Sequence, residues 1–269
     1  VPMPPEVLAQ LRVPGLGQGA VLRVHGESDR CISRQLLEQG IWEPFETSLV
    51  QRFLGSGDVF VDVGANLGYF TVLAAHRVGP GGRVFAFEPD PANFALLQDN
   101  IERNACAAWA QAVRAGLAAC DGAAHLHLSD DNLGDHQLFD TGEGRNSVAV
   151  SLLDGGAWLA QRSDRIAMIK IDTQGYEHEV MRGLLPLLQR LPQVPRILIE
   201  LTPLSLRQAG SSGRALVTLL AELGQPLWIV DHVEHRLVLS SAGELARWCD
   251  NVDACPGDAG FMNLLVGAD

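Results

Sequence analysis

The stretch from Phe60 to Glu88 constrains the fold of this chain more than any other. It holds two strand-like apolar runs, Phe60-Val61-Asp62-Val63 and Arg83-Val84-Phe85-Ala86-Phe87, and places the acids Asp62 and Glu88 at their ends. A glycine-bounded turn, Gly64-Ala65-Asn66-Leu67-Gly68, and a helix-length segment lie between them. Strand, turn, helix and strand in this order form a βαβ unit, whose first turn is suited to holding a nucleoside.

The turn itself narrows the ligand. Dinucleotide-binding turns read Gly-x-Gly-x-x-Gly, so that bare backbone can reach a pyrophosphate. Here the pattern is Asp62-x-Gly64-x-x-x-Gly68. A carboxylate at Asp62 repels a diphosphate and attracts an ammonium or sulfonium, and Gly64 and Gly68 let the backbone approach a ligand without a Cβ clash. S-adenosylmethionine, cationic and free of phosphates, meets these conditions. Glu88, at the end of the second strand, is placed to accept hydrogen bonds from both ribose hydroxyls.

Downstream, strand-like runs ending in acids recur at Ile166–Asp172 and Arg196–Glu200. Helices are expected over 91–104, 177–190, 212–223 and 242–249, and further strands over 226–230, 236–240 and 260–266. Alternation of this kind gives a parallel sheet covered by helices on both faces, and the late strand pair suits an antiparallel edge. Residues 109–118 and 123–128 are expected to pair as a hairpin around Cys120-Asp121-Gly122. The polar stretch from Ser129 to Asn146 is too long for a plain connection and is a candidate functional loop. Residues 1–54 read as an N-terminal extension and residues 55–269 as one compact catalytic domain. Within the extension, Trp42-Glu43-Pro44-Phe45-Glu46 is either a lid over the ligand or packing at a helix entry.

Composition limits the partners. A formal net charge of −12 and a pI near 5.0 argue against a phosphate backbone, which clustered Lys and Arg would bind. Five cysteines without a Cys-x-x-Cys pair give neither a zinc knuckle nor a full disulfide framework. With no apolar run of the roughly 18 residues that a membrane span needs, a cytoplasmic protein is expected. Oligomeric state is not encoded in any pattern found here.

Asp62, Glu88, Asp172 and Glu200 each end an expected strand, so four carboxylates are expected along one rim of the sheet, where ligands bind in such folds. With Asp62 and Glu88 on the nucleoside, Asp172 and Glu200 would face the second substrate as base, anchor or cation site, or Glu200 would cap a helix. His136, in Asp130-Asp131-Asn132-Leu133-Gly134-Asp135-His136, is a candidate general base, or else a solvated histidine in an Asx-rich turn. His125 and His127 share a strand face without a third ligand nearby, so no metal site is expected there.

The blocks Asp62-Val63-Gly64-Ala65-Asn66-Leu67-Gly68-Tyr69, Phe87-Glu88-Pro89-Asp90-Pro91 with Asn100 and Asn104, Ser151-Leu152-Leu153-Asp154, and Ile169-Lys170-Ile171-Asp172-Thr173-Gln174-Gly175-Tyr176-Glu177 resemble the FkbM-type methyltransferases. The resemblance covers roughly residues 40–202, with the blocks in the family's order. It implies a Rossmann-like class I methyltransferase fold with a mostly parallel seven-stranded sheet. It also implies S-adenosyl-L-methionine as donor, S-adenosyl-L-homocysteine as product, and O-methylation of a hydroxyl on a small natural product or sugar. By the same resemblance Asp62, Gly64, Asn66, Gly68 and Glu88 bind the cofactor. The family commonly reads Val-Glu-Gly-Ala-Glu after the last Asp, whereas this chain has Thr173-Gln174-Gly175-Tyr176-Glu177, which points to a specialised site. The expected reaction is in-line transfer with His136 or Asp172 as base. A cation-assisted variant on Asp172 and Glu200, a nucleotide-dependent oxidoreductase and a non-catalytic scaffold are the alternatives.

Overall fold

The computed structural model of the protein describes residues 6–17, 19–26, 29–129, 136–138 and 146–269. A two-stranded antiparallel sheet, β1 (Val7–Gln10) and β2 (Val21–Val24), leads into helices α1 (Ile32–Gln39) and α2 (Pro44–Phe53). The βαβ unit follows as β3 (Val59–Val63), α3 (Tyr69–Val78) and β4 (Arg83–Phe87), then α4 (Pro91–Arg103) and β5 (Ala110–Val113). Next come β6 (Gly116–Ala118), β7 (Gly122–His127), β8 (Ser147–Asp154) and α5 (Gly155–Ala160). The second half contains β9 (Met168–Ile171), α6 (Glu177–Leu188), β10 (Arg196–Leu201), α7 (Pro203–Gln208) and α8 (Gly213–Ala221). It closes with β11 (Leu227–Asp231), β12 (Arg236–Ser240), α9 (Ala242–Ala254) and β13 (Met262–Val266).

The main sheet has the order β12-β11-β13-β10-β9-β3-β4-β5. Strands β10, β9, β3, β4 and β5 are parallel, and β13, β11 and β12 form the antiparallel edge. The late strand pair therefore adds β12 as an eighth strand to the seven expected. Strand order reverses between β3 and β9, which places the ligand crevice beyond their C-terminal ends.

Both faces of the sheet are buried, as its near-continuous apolar strands require. On one face Phe60, Val84, Met168 and Leu198 pack with α2, α3 and α4; on the other Val61, Phe85, Ile169 and Ile199 pack with α6, α8 and α9. The β1–β2 hairpin shares the first of these cores through Ala9, Leu22 and Val24. Two amides of α4 fasten it there. Asn100 accepts from Arg23 N and donates to Arg23 O and Leu67 O, while Asn104 makes the equivalent pair of bonds with Val21.

The hairpin expected from 109–118 and 123–128 does not form. β5 joins the main sheet, and β8 inserts between β6 and β7 to make a separate three-stranded sheet. Alternation shows that a segment is a strand but not which partner it takes. Much of the loop expected to be functional, residues 130–135 and 139–145, lies outside the described residues. Among the described residues no helix is long and apolar enough to cross a membrane.

The small sheet meets the main domain where α6 passes β6. A Cβ added to Gly183 would sit 2.1 Å from the Ala118 carbonyl oxygen. Glycine to alanine within a helix ordinarily stabilises by about 0.5–1 kcal/mol. Here the contact reverses the sign: Gly183→Ala is expected to destabilise by about 1–3 kcal/mol in urea unfolding. A midpoint at or above wild type would show that the two layers separate freely.

Candidate active site

Strand parity decides which polar groups meet. Asp62 on β3 and Lys170 on β9 are direct cross-strand partners, and both point to the α3 face, as does Glu200 on β10. Asn263 on β13 is the register partner of Glu200. The C-terminal half of this face is thus polar, and the start of α2 covers it with Trp42, Glu43 and Glu46.

Lys170 is the only lysine in the chain, and its side chain is 8% exposed. Its ammonium lies 2.8 Å from Asp172 Oδ2 and 4.7 Å from the centre of the Phe70 ring. Gln174 Nε2 donates to Asp172 Oδ1 at 2.7 Å and to Glu200 Oε2 at 3.4 Å, and Thr202 Oγ1 donates to Glu200 Oε1. Gln174 holds a left-handed backbone (φ 53), which these side-chain bonds help to fix. Behind it, Glu177 accepts from Thr173 N, Thr173 Oγ1 and Gly175 N and pins the loop after β9.

Burial governs the protonation of this group. It raises Glu200 well above the carboxylate range, reinforced by the charges of Asp172 and Glu177. Burial also pushes Asp172 up, but the Lys170 charge and hydrogen bond, together with donors from Gln174 and Glu200, outweigh it and leave Asp172 lowered. Glu43 rises to about 8 through burial, opposed by Lys170 and reinforced by Asp172 and Glu46. Within the cluster the Lys170 charge thus favours the ionised form of Asp172, while burial favours the protonated forms of Glu200 and Glu43.

Two cavities meet here. The first is lined by Gly64, Asn66, Glu88, Leu117, His136 and Tyr176 among others. Asn66 N and Asp90 N donate to the two oxygens of Glu88, whose carboxyl burial pushes up to about 8. The second is a wider cleft of about 1510 Å³ lined by Trp42, Glu43, Glu46, Glu200, His232 and Phe261 among others. Gly64, Asn66, Asp172 and Gln174 belong to both walls. Among the described residues neither lining includes Arg or Lys, so neither cavity suits a pyrophosphate. The apolar lining with a carboxyl at the β4 end has the chemistry that an adenosyl group requires.

Comparison with known proteins decides the family. A model of the methyltransferase FkbM domain matches residues 62–243. This chain belongs to the FkbM methyltransferase family. It is 34% identical over 161 residues to the 31-O-demethyl-FK506 methyltransferase FkbM of Streptomyces tacrolimicus, covering 48% of this chain and 60% of that protein. It is 26% identical over 167 residues to the hexuronic acid methyltransferase AglP of Haloferax volcanii, covering 61% and 62%. The chain thus matches less than two thirds of either relative's length. Among solved structures it is similar to the O-methyltransferase of Bacillus cereus in complex with SAH, at 15% identity and a TM-score of 0.39, covering 83% of this chain and 80% of that one.

The parallel core, its strand-order reversal and the antiparallel edge give the Rossmann-like fold expected of a member of this family. Not all of the sequence-selected residues reach the cavities. Gly64, Asn66, Glu88, His136 and Asp172 line the first, and Glu200 lines the second. Asp62 lines neither: it is buried behind the turn, where Thr71 Oγ1 donates to it at 2.6 Å. The expected rim of four carboxylates is therefore three, because parity sends Asp62 under α3. Gly68 also stands back, and its missing side chain makes room for Leu97, 2.7 Å from where a Cβ would lie. Gly64 has φ +82, and a Cβ there would fall 1.9 Å from the Asp172 carbonyl oxygen, so the loops after β3 and β9 touch through this glycine. His136 Nδ1 accepts from Ser129 N, which leaves the ring proton on Nε2. Lys170 and Glu43 escaped sequence reasoning as individual residues. The signal for Lys170 was a lone lysine inside an otherwise apolar strand.

Lys170→Met is expected to cost roughly 3 kcal/mol or more in urea unfolding, since it leaves Asp172 buried without its counter-charge. A loss under about 1 kcal/mol would mean that the carboxyl cluster balances itself without the ammonium.

Proposed function

We propose that this protein transfers the methyl group of S-adenosylmethionine to a hydroxyl of a small natural product or sugar, by in-line displacement. The observation that carries this reading is the pair of cavities sharing Gly64, Asn66, Asp172 and Gln174. A donor in one and an acceptor in the other would meet at that shared wall, and alignment there supplies much of the rate. The activities of the two relatives, on 31-O-demethyl-FK506 and on a hexuronic acid, support an oxygen acceptor on a small molecule.

In this reading Glu88 holds the ribose hydroxyls, Gly64 and Asn66 form the floor beneath the methionine end, and Asp62 and Gly68 position the turn from behind. Asp172 and Glu200 face the acceptor. His136, with its proton on Nε2 and its place on the first cavity, acts as a donor to the cofactor side rather than as the base. A cation bridging Asp172 and Glu200 is disfavoured because Lys170 and Gln174 already engage both Asp172 oxygens. The acid-lined, Arg- and Lys-free second cleft favours a small acceptor over a nucleic acid. Residues 55–269 form the catalytic unit, to which residues 1–54 contribute the wall from Trp42 to Glu46.

Glu88→Ala is expected to weaken S-adenosylhomocysteine binding ten- to a hundredfold in calorimetric titration, the loss of about 1.5–3 kcal/mol from a charged or paired ribose contact. Unchanged affinity would place the ribose elsewhere. The function itself is tested by incubating the protein with methyl-labelled S-adenosylmethionine and a panel of sugars, polyols and hydroxylated macrocycles, then locating the label by NMR. A methyl ether formed equally well in EDTA is the expected product. Label on nitrogen or on a carboxyl group would overturn the O-methyl ether reading, and loss of activity in EDTA would restore the cation.

A further inference from the structure

Glu43 lines the second cavity with a carboxyl oxygen that is not used within the described protein. Its Oε2 is buried and, among the described residues, has no hydrogen-bond partner. A buried polar atom left unpaired costs about 1–3 kcal/mol and calls for an explanation outside ordinary folding. The backbone adds a second cost. Glu43 has φ 42, in the left-handed region, and it precedes Pro44, where extended conformations are preferred. Neighbouring contacts enforce this geometry: Thr47 Oγ1 donates to Trp42 O at 2.7 Å and bonds Tyr69 Oη at 2.9 Å, locking the entry of α2 onto α3. Strain held this firmly at a cavity wall is characteristic of a functional group.

The surroundings say what that group can do. Lys170 from β9, Asp172 from the loop that follows it, Glu46 from α2, Tyr69 from α3 and Glu200 from β10 all act electrostatically on Glu43 or are acted on by it. His232, beyond β11, and Asp62, on β3 beside Lys170, complete the charged shell. Within this shell Asp172 is committed to Lys170, and Glu200 is bonded by Thr202 and Gln174. Glu43 Oε2, by contrast, is buried with no hydrogen-bond partner among the described residues.

We propose that Glu43 Oε2 is the proton-holding site of the reaction: it gives up its proton when a sulfonium occupies the shared wall and takes the acceptor hydroxyl's proton during transfer. The proposal rests on the O-methyl transfer reading. In the transfer the S–CH3 bond breaks with its electron pair left on sulfur, an O–CH3 bond forms, and the hydroxyl proton passes to Glu43. The product thioether is neutral, so Glu43 then keeps that proton, and the site returns to its starting charge. Glu43 thereby exchanges one positive charge, its proton, for another, the sulfonium, and the buried cluster never carries an extra net charge.

The two ligands needed for the test differ by this one charge. S-adenosylmethionine and S-adenosylhomocysteine both carry an ammonium and a carboxylate, and only the first has a sulfonium. Titration calorimetry of the whole chain near pH 7, in two buffers of different ionisation enthalpy, counts the protons released by each. S-adenosylmethionine is expected to release close to one proton more than S-adenosylhomocysteine, and its affinity to rise up to tenfold per pH unit between pH 6 and 7.5. Glu43→Gln is expected to abolish the difference, and Glu200→Gln to keep it. Equal proton release by the two ligands in wild type would overturn the proposal without any variant, and so would a difference that survives in Glu43→Gln. Equal release of a proton on binding both ligands would mean that Glu43 pairs with the ammonium they share, which is how that overturning result would be read. Absence of binding by both would overturn the cofactor reading and the proposal together, whereas binding without a difference leaves the cofactor reading standing.

Discussion

The ammonium of Lys170 holds the centre of the molecule together electrically. Around it the fold gathers buried Asp62 and the half-buried Asp172, Glu43 and Glu200, and no second Lys or Arg is buried with them among the described residues. Burying an isolated carboxylate is costly enough that such groups either pair or keep their protons. The ammonium favours the ionised form of Asp172, while burial favours the protonated forms of Glu43 and Glu200. The arrangement gives a site with little net charge in which protons are easily displaced by an arriving cation.

The same residue ties this electrostatics to topology. β9 lies at the reversal of strand order, between β3 and β10, so Lys170 faces Asp62 across one pairing and Leu198 across the other. The loops that leave β3 and β9 touch through Gly64 and the Asp172 carbonyl, and those loops supply the residues common to both cavities. The close approach of the two loops is what lets the same few residues line both cavities.

Much of this was legible in the sequence, because the βαβ unit is local. The alternation of strands and helices, the antiparallel edge and the glycine turn follow from patterns within short windows, and Gly64, Asn66 and Glu88 reach the cavity as their spacing implies. Asp62 did not, because its position depends on which face of β3 is turned toward α3, and a fully buried strand carries no polar alternation to reveal that. Strand partnership failed for the same kind of reason: β8 separates β6 from β7 through a pairing set by tertiary contacts rather than by the turn between them. His136 was chosen for its chemistry, but its ring is oriented by Ser129, seven residues away along the chain. Glu43 was legible only as part of an aromatic-acidic segment, since an unpaired oxygen and a left-handed backbone are properties of the folded state alone.

The solitary lysine has a practical corollary. Every other basic side chain that carries a fixed charge is a guanidinium, so amine-directed chemistry finds no lysine on the surface of this protein. Nitrogen-15 placed at lysine Nζ would yield a single side-chain ammonium resonance, and that resonance would come from the middle of the buried charge cluster, a built-in spectroscopic probe of its proton inventory.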